Sequence, residues 1–499
     1  MDRETIALPG PPPASAGPLR SLPGWRRAWL EMDRNPRALA LAQTRGGAIL
    51  LHGVFLLILT RCWLDDVELA LAALGLGACL LFPAKRLRAI GLVGILALLA
   101  DPFRSRGFGE LSAGLFAEAG LAALDPALPA AAVAGLFLLL AWSLLGLQQR
   151  FRGNRLGRRP MVMQFAALAL LVAAAMILPL SPLAAALLWT FIGIYVAAFW
   201  FLGYAFANLK TKDRAPAGTH AGYLRPFWDG DIAPIGKGAG FLRKFDARDE
   251  AALAATRLKA LKLLVWGFIL QKANYRLQVF LEDGLGLPPL RDALIAQAQG
   301  LPVEPHIGWA ILVTHYVIKV LSLAATGHII VALVRMAGFA IPRNTVKPFA
   351  SRTLAEFWNR YYYYFKEILV DFFFFPAFTR YFKKHPKLRV AFATFCAAGV
   401  GNALYHFLYV IAGIPEHGLA ELLYGFRAYL VYATGLALGI IVSQLNNSRP
   451  KPEDGLLRYE ILPRVNVTLF FCTLMVFDDL NPGVDLSARF AYLFNLVGA

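Results

Sequence analysis

The chain has 499 residues, 58% of them hydrophobic and only 16% charged, with a mean hydropathy of +0.54. That composition excludes a water-soluble globular enzyme and describes an integral membrane protein. The 50 basic and 32 acidic residues leave a formal charge of +18; the excess lies in loops between apolar runs, so it reports topology, and no nucleic-acid partner is expected.

Residues 1–46 hold Pro9, Pro11, Pro12, Pro13, Pro18 and Pro23, then six arginines from Arg20 to Arg45, without the apolar core of a cleavable signal. This predicts a cytoplasmic, partly disordered tail. Apolar runs at about 47–63, 67–82 and 89–100 follow, each near the lower length limit for crossing a bilayer, which predicts tilt or local thinning. Lys85, Arg86 and Arg88 follow the second run, whereas Asp65, Asp66 and Glu68 follow the first, so the N-terminus is placed inside. The stretch from Gln148 to Pro160, with Arg150, Arg152, Arg155, Arg158 and Arg159 and no acid, is the firmest cytoplasmic marker. It requires the weak segment at 108–124, which carries Glu110 and Glu118, to be re-entrant or interfacial. Runs at about 127–147, 161–179 and 183–207 complete an N-terminal membrane unit, 47–207.

Residues 208–256 are polar, with Pro216, Pro226 and Pro234, and are expected to form a structured cytoplasmic loop. Gly236, Gly238 and Gly240 superficially resemble a phosphate-binding loop, but no strand precedes them. Apolar segments resume at about 258–280, 309–340, 354–378, 388–413, 419–443 and 464–477, within a C-terminal unit 257–499. The expected fold is all-α and polytopic, with roughly ten spanning helices plus re-entrant pieces. Cys62, Cys79, Cys396 and Cys472 have no metal-type spacing, so neither a metal site nor a disulfide frame is expected.

Polar residues that survive inside apolar segments are where chemistry is to be sought. Between Leu388 and Gly413, helical spacing puts Gly399, Asn402, Ala403, His406, Tyr409, Val410 and Gly413 on one small, polar face. An unpartnered imidazole is costly in a bilayer, so His406 should face protein or a water-filled path, with Asn402 one turn away. Neutral imidazole suits proton abstraction from a hydroxyl; a structural histidine bridging two helices is the other reading of this segment. A second stripe is His315, Lys319, Ser322 and Thr326. It carries Lys319 deep into an apolar helix, where the ammonium lines a cavity, pairs with a carboxylate or snorkels to the interface. Alone, that stripe fits a proton-coupled transporter.

The stretch 342–376 changes the balance. It contains Pro342, Arg343 and Asn344, then Lys347 and Pro348, then Phe357-Trp358-Asn359-Arg360-Tyr361-Tyr362, and finally Asp371 to Pro376. Arg352, Glu356 and Arg360 can pair along one helix face while Phe357 and Tyr361 occupy another, which also suits an interfacial aromatic anchor. With Ala233-Pro234-Ile235, Leu261-Lys262 with Gly267 and Lys272, Arg335, Gly338-Phe339 and Leu404-Tyr405-His406, this order resembles the core of the membrane-bound O-acyltransferase superfamily. It is most similar to the bacterial alginate O-acetylation and D-alanyl transfer branch, over roughly 220–412.

The resemblance implies a helical bundle around a central tunnel, in a bacterial inner membrane. It implies His406 as the catalytic histidine, with Tyr362 and Asn402 beside it. Trp358, Arg360, Tyr361, Asp371, Tyr405, Arg335 and Asn344 become substrate-binding residues by the same resemblance. The implied co-substrate is an acyl thioester, acyl-CoA or acyl-carrier protein, offered from the cytoplasmic side, with no bound cofactor or metal. Membrane lipid is an expected partner, and the scheme admits an envelope partner protein. Two departures stand out: Tyr361-Tyr362 replaces the branch's Trp-His, and Ser322 to His328 lacks the branch's two carboxylates. A translocation or binding protein on the same scaffold, centred on Lys319, is the alternative.

Overall fold

The structure, a computed structural model, describes residues 24–62, 64–103, 106–150, 159–209, 217–230, 232–446, 451–478 and 484–498. Apart from one bridge between Asp246 and Phe339, the described residues form helices and connecting turns. Of the expected N-terminal tail, residues 1–23 lie outside the described part, and the remainder is helical. It forms α1 (Gly24–Leu30) and α2 (Pro36–Gln43), the latter capped by the Asn35 side chain, which accepts from Arg37 N at 2.9 Å. Asp33, between them, pairs with Lys262, so this segment is pinned to the bundle and the tail ends well before residue 46.

The short apolar runs become α3 (Arg45–Leu59), α4 (Asp66–Leu81) and α5 (Arg86–Ala100). A capping box of Asp65 and Glu68 starts α4. Bends of 97° between α2 and α3 and of 111° between α4 and the segment carrying α5 make each pair a broken span or a re-entrant loop. The shortness read from the sequence is therefore accommodated by bending. The segment expected to be re-entrant or interfacial holds α6 (Arg106–Phe116) and a π-helical turn, Ala117–Leu121. Next come α7 (Ala127–Arg150), α8 (Pro160–Ile177) and α9 (Pro182–Asn208). Arg152, Arg155 and Arg158 lie outside the described residues. Helix α9 is buried on every side from Ile192 to Ala205, the signature of a central helix.

The expected loop 208–256 is shorter and less exposed than its composition suggests. Asp249 caps α12 (Glu250–Val279), moving the boundary back, and the preceding stretch, with α10 (Ala217–Ala221) and α11 (Ala239–Leu242), is packed inward. Tyr223, Leu224, Phe227 and Trp228 are all buried. Their apolar area outweighs the Pro and Gly content that made the stretch read as a loop. Backbone contact with α5 is close. A Cβ on Gly94 would sit 2.1 Å from the Gly222 carbonyl oxygen, and one on Gly222 would sit 2.6 Å from the Gly91 Cα. Gly94→Ala must force backbone apart rather than rotate a side chain, so it is expected to destabilise by about 1–3 kcal/mol. Thermal unfolding in detergent checks this; an unchanged transition would show that the segment is not seated on α5.

The C-terminal unit comprises α13 (Leu290–Ala298), α14 (Pro305–Met336), α15 (Leu354–Tyr361), α16 (Tyr363–Leu369), α17 (Phe375–Arg380), α18 (Pro386–Thr394), α19 (Asn402–Val410), α20 (Ile414–Leu445), α21 (Leu462–Met475) and α22 (Leu486–Asn495). The runs 354–378 and 388–413 are not single helices: π-helical turns at Val370–Phe374 and Phe395–Gly401 interrupt them. Among the described residues, five helical elements are long and apolar enough to cross a membrane, or seven if each bent pair counts once. The expected roughly ten exceeds this because 388–413 and 419–443 join into one bent element and because α12 carries too many cations.

Candidate active site

The π-turn Phe395–Gly401 leads directly into α19 and packs against the π-turn Val370–Phe374. Gly401 permits this contact, since a Cβ there would lie 2.7 Å from the Phe373 ring. Wide turns of this kind recur at functional sites because they shift helix register locally. One turn on, His406 Nδ1 lies 3.1 Å from the Asn402 carbonyl oxygen and 2.7 Å from the hydroxyl of Tyr429 on α20. That hydroxyl also donates to Asn402 Oδ1 at 3.1 Å.

The contact with the Asn402 carbonyl favours one imidazole tautomer. A carbonyl oxygen can only accept, so Nδ1 carries the proton, shared between Asn402 O and Tyr429 Oη. The Tyr429 proton is then committed to Asn402 Oδ1. Nε2 is left with its lone pair. It makes no hydrogen bond among the described residues, and it is not among the atoms sealed from solvent. The ring is half-buried within an aromatic cage: Tyr429 at 4.5 Å, Tyr405 at 5.1 Å and Phe365 at 5.6 Å between centroids. A neutral imidazole with one nitrogen anchored and the other open is the arrangement a general base needs.

The structure brings some of the sequence-derived residues together here and not others. Asn402, fully buried, anchors the ring, and Tyr405 bonds Tyr409 through their hydroxyls at 2.8 Å while stacking on Trp200. Trp358 and Tyr362 each reach the cage through Phe365, at 5.8 and 5.1 Å between centroids. The Tyr362 hydroxyl accepts from Ala233 N at 2.8 Å, which ties it to the Ala233-Pro234-Ile235 element. Buried Tyr361 gives its carbonyl to Thr345 Oγ1. Arg360 pairs with Glu356 at 2.6 Å, whereas the Arg352 side chain leaves the expected ladder for Glu460 at 2.9 Å. Arg335 donates twice to the Ile341 carbonyl, and Asn344 holds the start of α16 through Tyr363 N and Tyr364 N.

Asp371 shares Lys237 with Glu367, at 2.9 and 2.6 Å. Lys237 stands in a left-handed conformation between Gly236 and Gly238, so the Gly-rich patch presents a cation to two carboxylates. Burial raises the Glu367 carboxyl, but Lys237 and Lys366 outweigh it and hold that group below the usual carboxylate range.

Tyr429, Tyr432 packed against it at 5.1 Å between centroids, and Asp478 escaped the sequence reading. Phe426, Tyr429 and Ala433 recur at helical spacing in an apolar run, the signal that could have marked them. Asp478 is the partner of Lys319, which settles the choice left open for that lysine. Both lie within electrostatic range of His406, so the two polar stripes converge on one place. Removing Lys319 alone strands a carboxylate that is only 12% exposed. Lys319→Met is therefore expected to lower the unfolding temperature more than the double variant Lys319→Met/Asp478→Leu. Equal losses would mean the pair is not coupled.

A cavity of about 220 Å³, lined by Tyr409, Val410, Gly413, His417, Glu421 and Phe426, opens one turn beyond His406. A smaller crevice lies between Phe108, Trp200 and Tyr409. His406 lines neither, and Tyr409 is common to both, so these two openings do not show the expected tunnel to the ring. Among the described residues, no group of three or more His, Cys, Asp or Glu side chains is placed to hold a metal. No protein-family model matches this chain, and no curated protein matches it. The protein is a membrane-embedded helical bundle, and the site geometry carries the functional reading.

Proposed function

We propose that the protein is a membrane-embedded O-acyltransferase in which His406 is the general base. The supporting observation is the anchored Nδ1–H, which leaves Nε2 as an open acceptor inside an apolar bundle. Nε2 takes the proton of an acceptor hydroxyl as its oxygen attacks the carbonyl of an acyl thioester; the carbon–sulfur bond breaks and the thiolate leaves with the proton from the imidazolium. Confinement beside the aromatic cage supplies orientation. Asp478, with Lys319 holding it, favours the imidazolium as it forms.

The acyl donor is acyl-CoA or acyl-carrier protein on the cytoplasmic side, and the acceptor is a hydroxyl of a lipid, polysaccharide or other envelope molecule. A bacterial inner membrane with a cytoplasmic N-terminus is part of the same proposal. The transport alternative rests on Lys319, whose pairing with Asp478 accounts for an ammonium in an apolar helix without invoking transport. The test is transfer of labelled acyl groups from either thioester by the protein in nanodiscs, with mass spectrometry of lipids and envelope polymers from cells lacking it. Envelope molecules unchanged in those cells, and no thioester-dependent transfer, would sink the proposal.

A further inference from the structure

Away from His406, where α3, α4, α5 and α12 meet, lies a charge with nothing to answer it. Arg257 on α12 is 4% exposed, and its Nε and Nη2 are buried with no hydrogen-bond partner among the described residues. Its electrostatic neighbours are Arg86 and Cys79, with no carboxylate among them. A guanidinium cannot shed its proton under ordinary conditions, so burying one without a counter-charge is costly. Two further groups lie within its electrostatic reach. His52 on α3 is 4% exposed; Ala48 O holds its Nδ1 at 2.8 Å, and Nε2 is buried without a partner. Arg86 on α5 spends Nη2 on Asp246 and the Ala247 carbonyl, at 2.5 and 2.7 Å, and Nε has no partner.

We propose that Arg257, His52 and Arg86 form a binding site for a phosphoryl anion that carries both ionised and protonated oxygens. The Nε/Nη2 edge of Arg257 is the fork that matches two oxygens of such a group. Arg86 adds a second cation. His52, with Nδ1 protonated, offers Nε2 as an acceptor, which a carboxylate or sulfate cannot satisfy but a P–OH can. The group comes from a phosphomonoester lipid headgroup or from a soluble phosphate. Exposed apolar Ile49, Leu50, Leu57 and Leu92 on α3 and α5 suit the acyl chains of the first source.

The experiment is thermal unfolding of the full chain in phosphatidylcholine nanodiscs. It is titrated with inorganic phosphate, with sulfate at matched ionic strength as reference, and repeated with part of the lipid replaced by phosphatidic acid. Wild-type protein is expected to be stabilised by at least one phosphoryl probe beyond sulfate. Arg257→Met should need about tenfold more or fail to respond, with Arg257→Lys between the two. A response to phosphatidic acid alone assigns a lipid headgroup; a response to free phosphate as well assigns a soluble ligand. No stabilisation of the wild type beyond sulfate, or the same response in both variants as in wild type, overturns the site. If Arg257→Met does not fold, Arg257→Lys carries the comparison.

Discussion

Replacing His406 by alanine is expected to reduce thioester-dependent acyl transfer about 10²–10⁴-fold, the range that a positioned general base contributes. The protein should still insert and unfold at a similar temperature. The change removes a half-buried ring whose Nε2 bonds nothing in the protein, and Asn402 O can revert to an ordinary helix acceptor. His406→Gln sharpens the test, because glutamine fills much of the volume and can bond Tyr429 but offers no basic nitrogen. If either variant transfers at the wild-type rate, His406 is not the base and the aromatic cage is packing.

The second large effect is expected from Tyr429→Phe. The lost hydroxyl is the acceptor for Nδ1–H at 2.7 Å and the donor to Asn402 Oδ1 at 3.1 Å. Phenylalanine leaves Asn402 Oδ1 unpaired in the interior, at about 1–3 kcal/mol. The imidazole keeps only its longer bond to Asn402 O. A lower kcat by roughly tenfold with little change in KM is the expected signature of a positioning residue. The pH dependence of kcat should move as well, because a hydrogen bond to Nδ1 sets the basicity of Nε2. A purely structural Tyr429 would lower the unfolding temperature while leaving kcat and its pH profile in place.

Much of this was legible from residue order, and the illegible parts have physical causes. Apolar runs located α3 to α9, α14 and α20 within a few residues, since lipid demands continuous apolar length whatever the tertiary packing. The loop 208–256 was expected to be structured, but its inward packing went unread because Pro and Gly mask the burial of Tyr223, Phe227 and Trp228. The breaks in 354–378 and 388–413 were hidden because a π-turn has no distinctive composition; Phe395–Gly401 reads as ordinary helix. His406 and Asn402 could be paired by i, i+4 spacing, whereas Tyr429 is 23 residues away in sequence and Asp478 reaches Lys319 across 159. Contacts of that kind follow from the fold and leave no trace in local spacing.

The π-turn before Asn402 also bears on how this chain tolerates length changes. A π-turn holds one residue more than the α-turn it replaces, so excising any single residue from Phe395–Gly401 lets the backbone rewind as regular helix. Because the wide turn had absorbed that residue, everything downstream keeps nearly the same facing relative to α18. Asn402 and His406 would keep both their mutual bond and their aim at Tyr429, whereas a deletion inside the regular helix Pro386–Thr394 would turn them by about 100°. Activity should therefore survive a one-residue deletion within Phe395–Gly401 and be lost with one inside Pro386–Thr394.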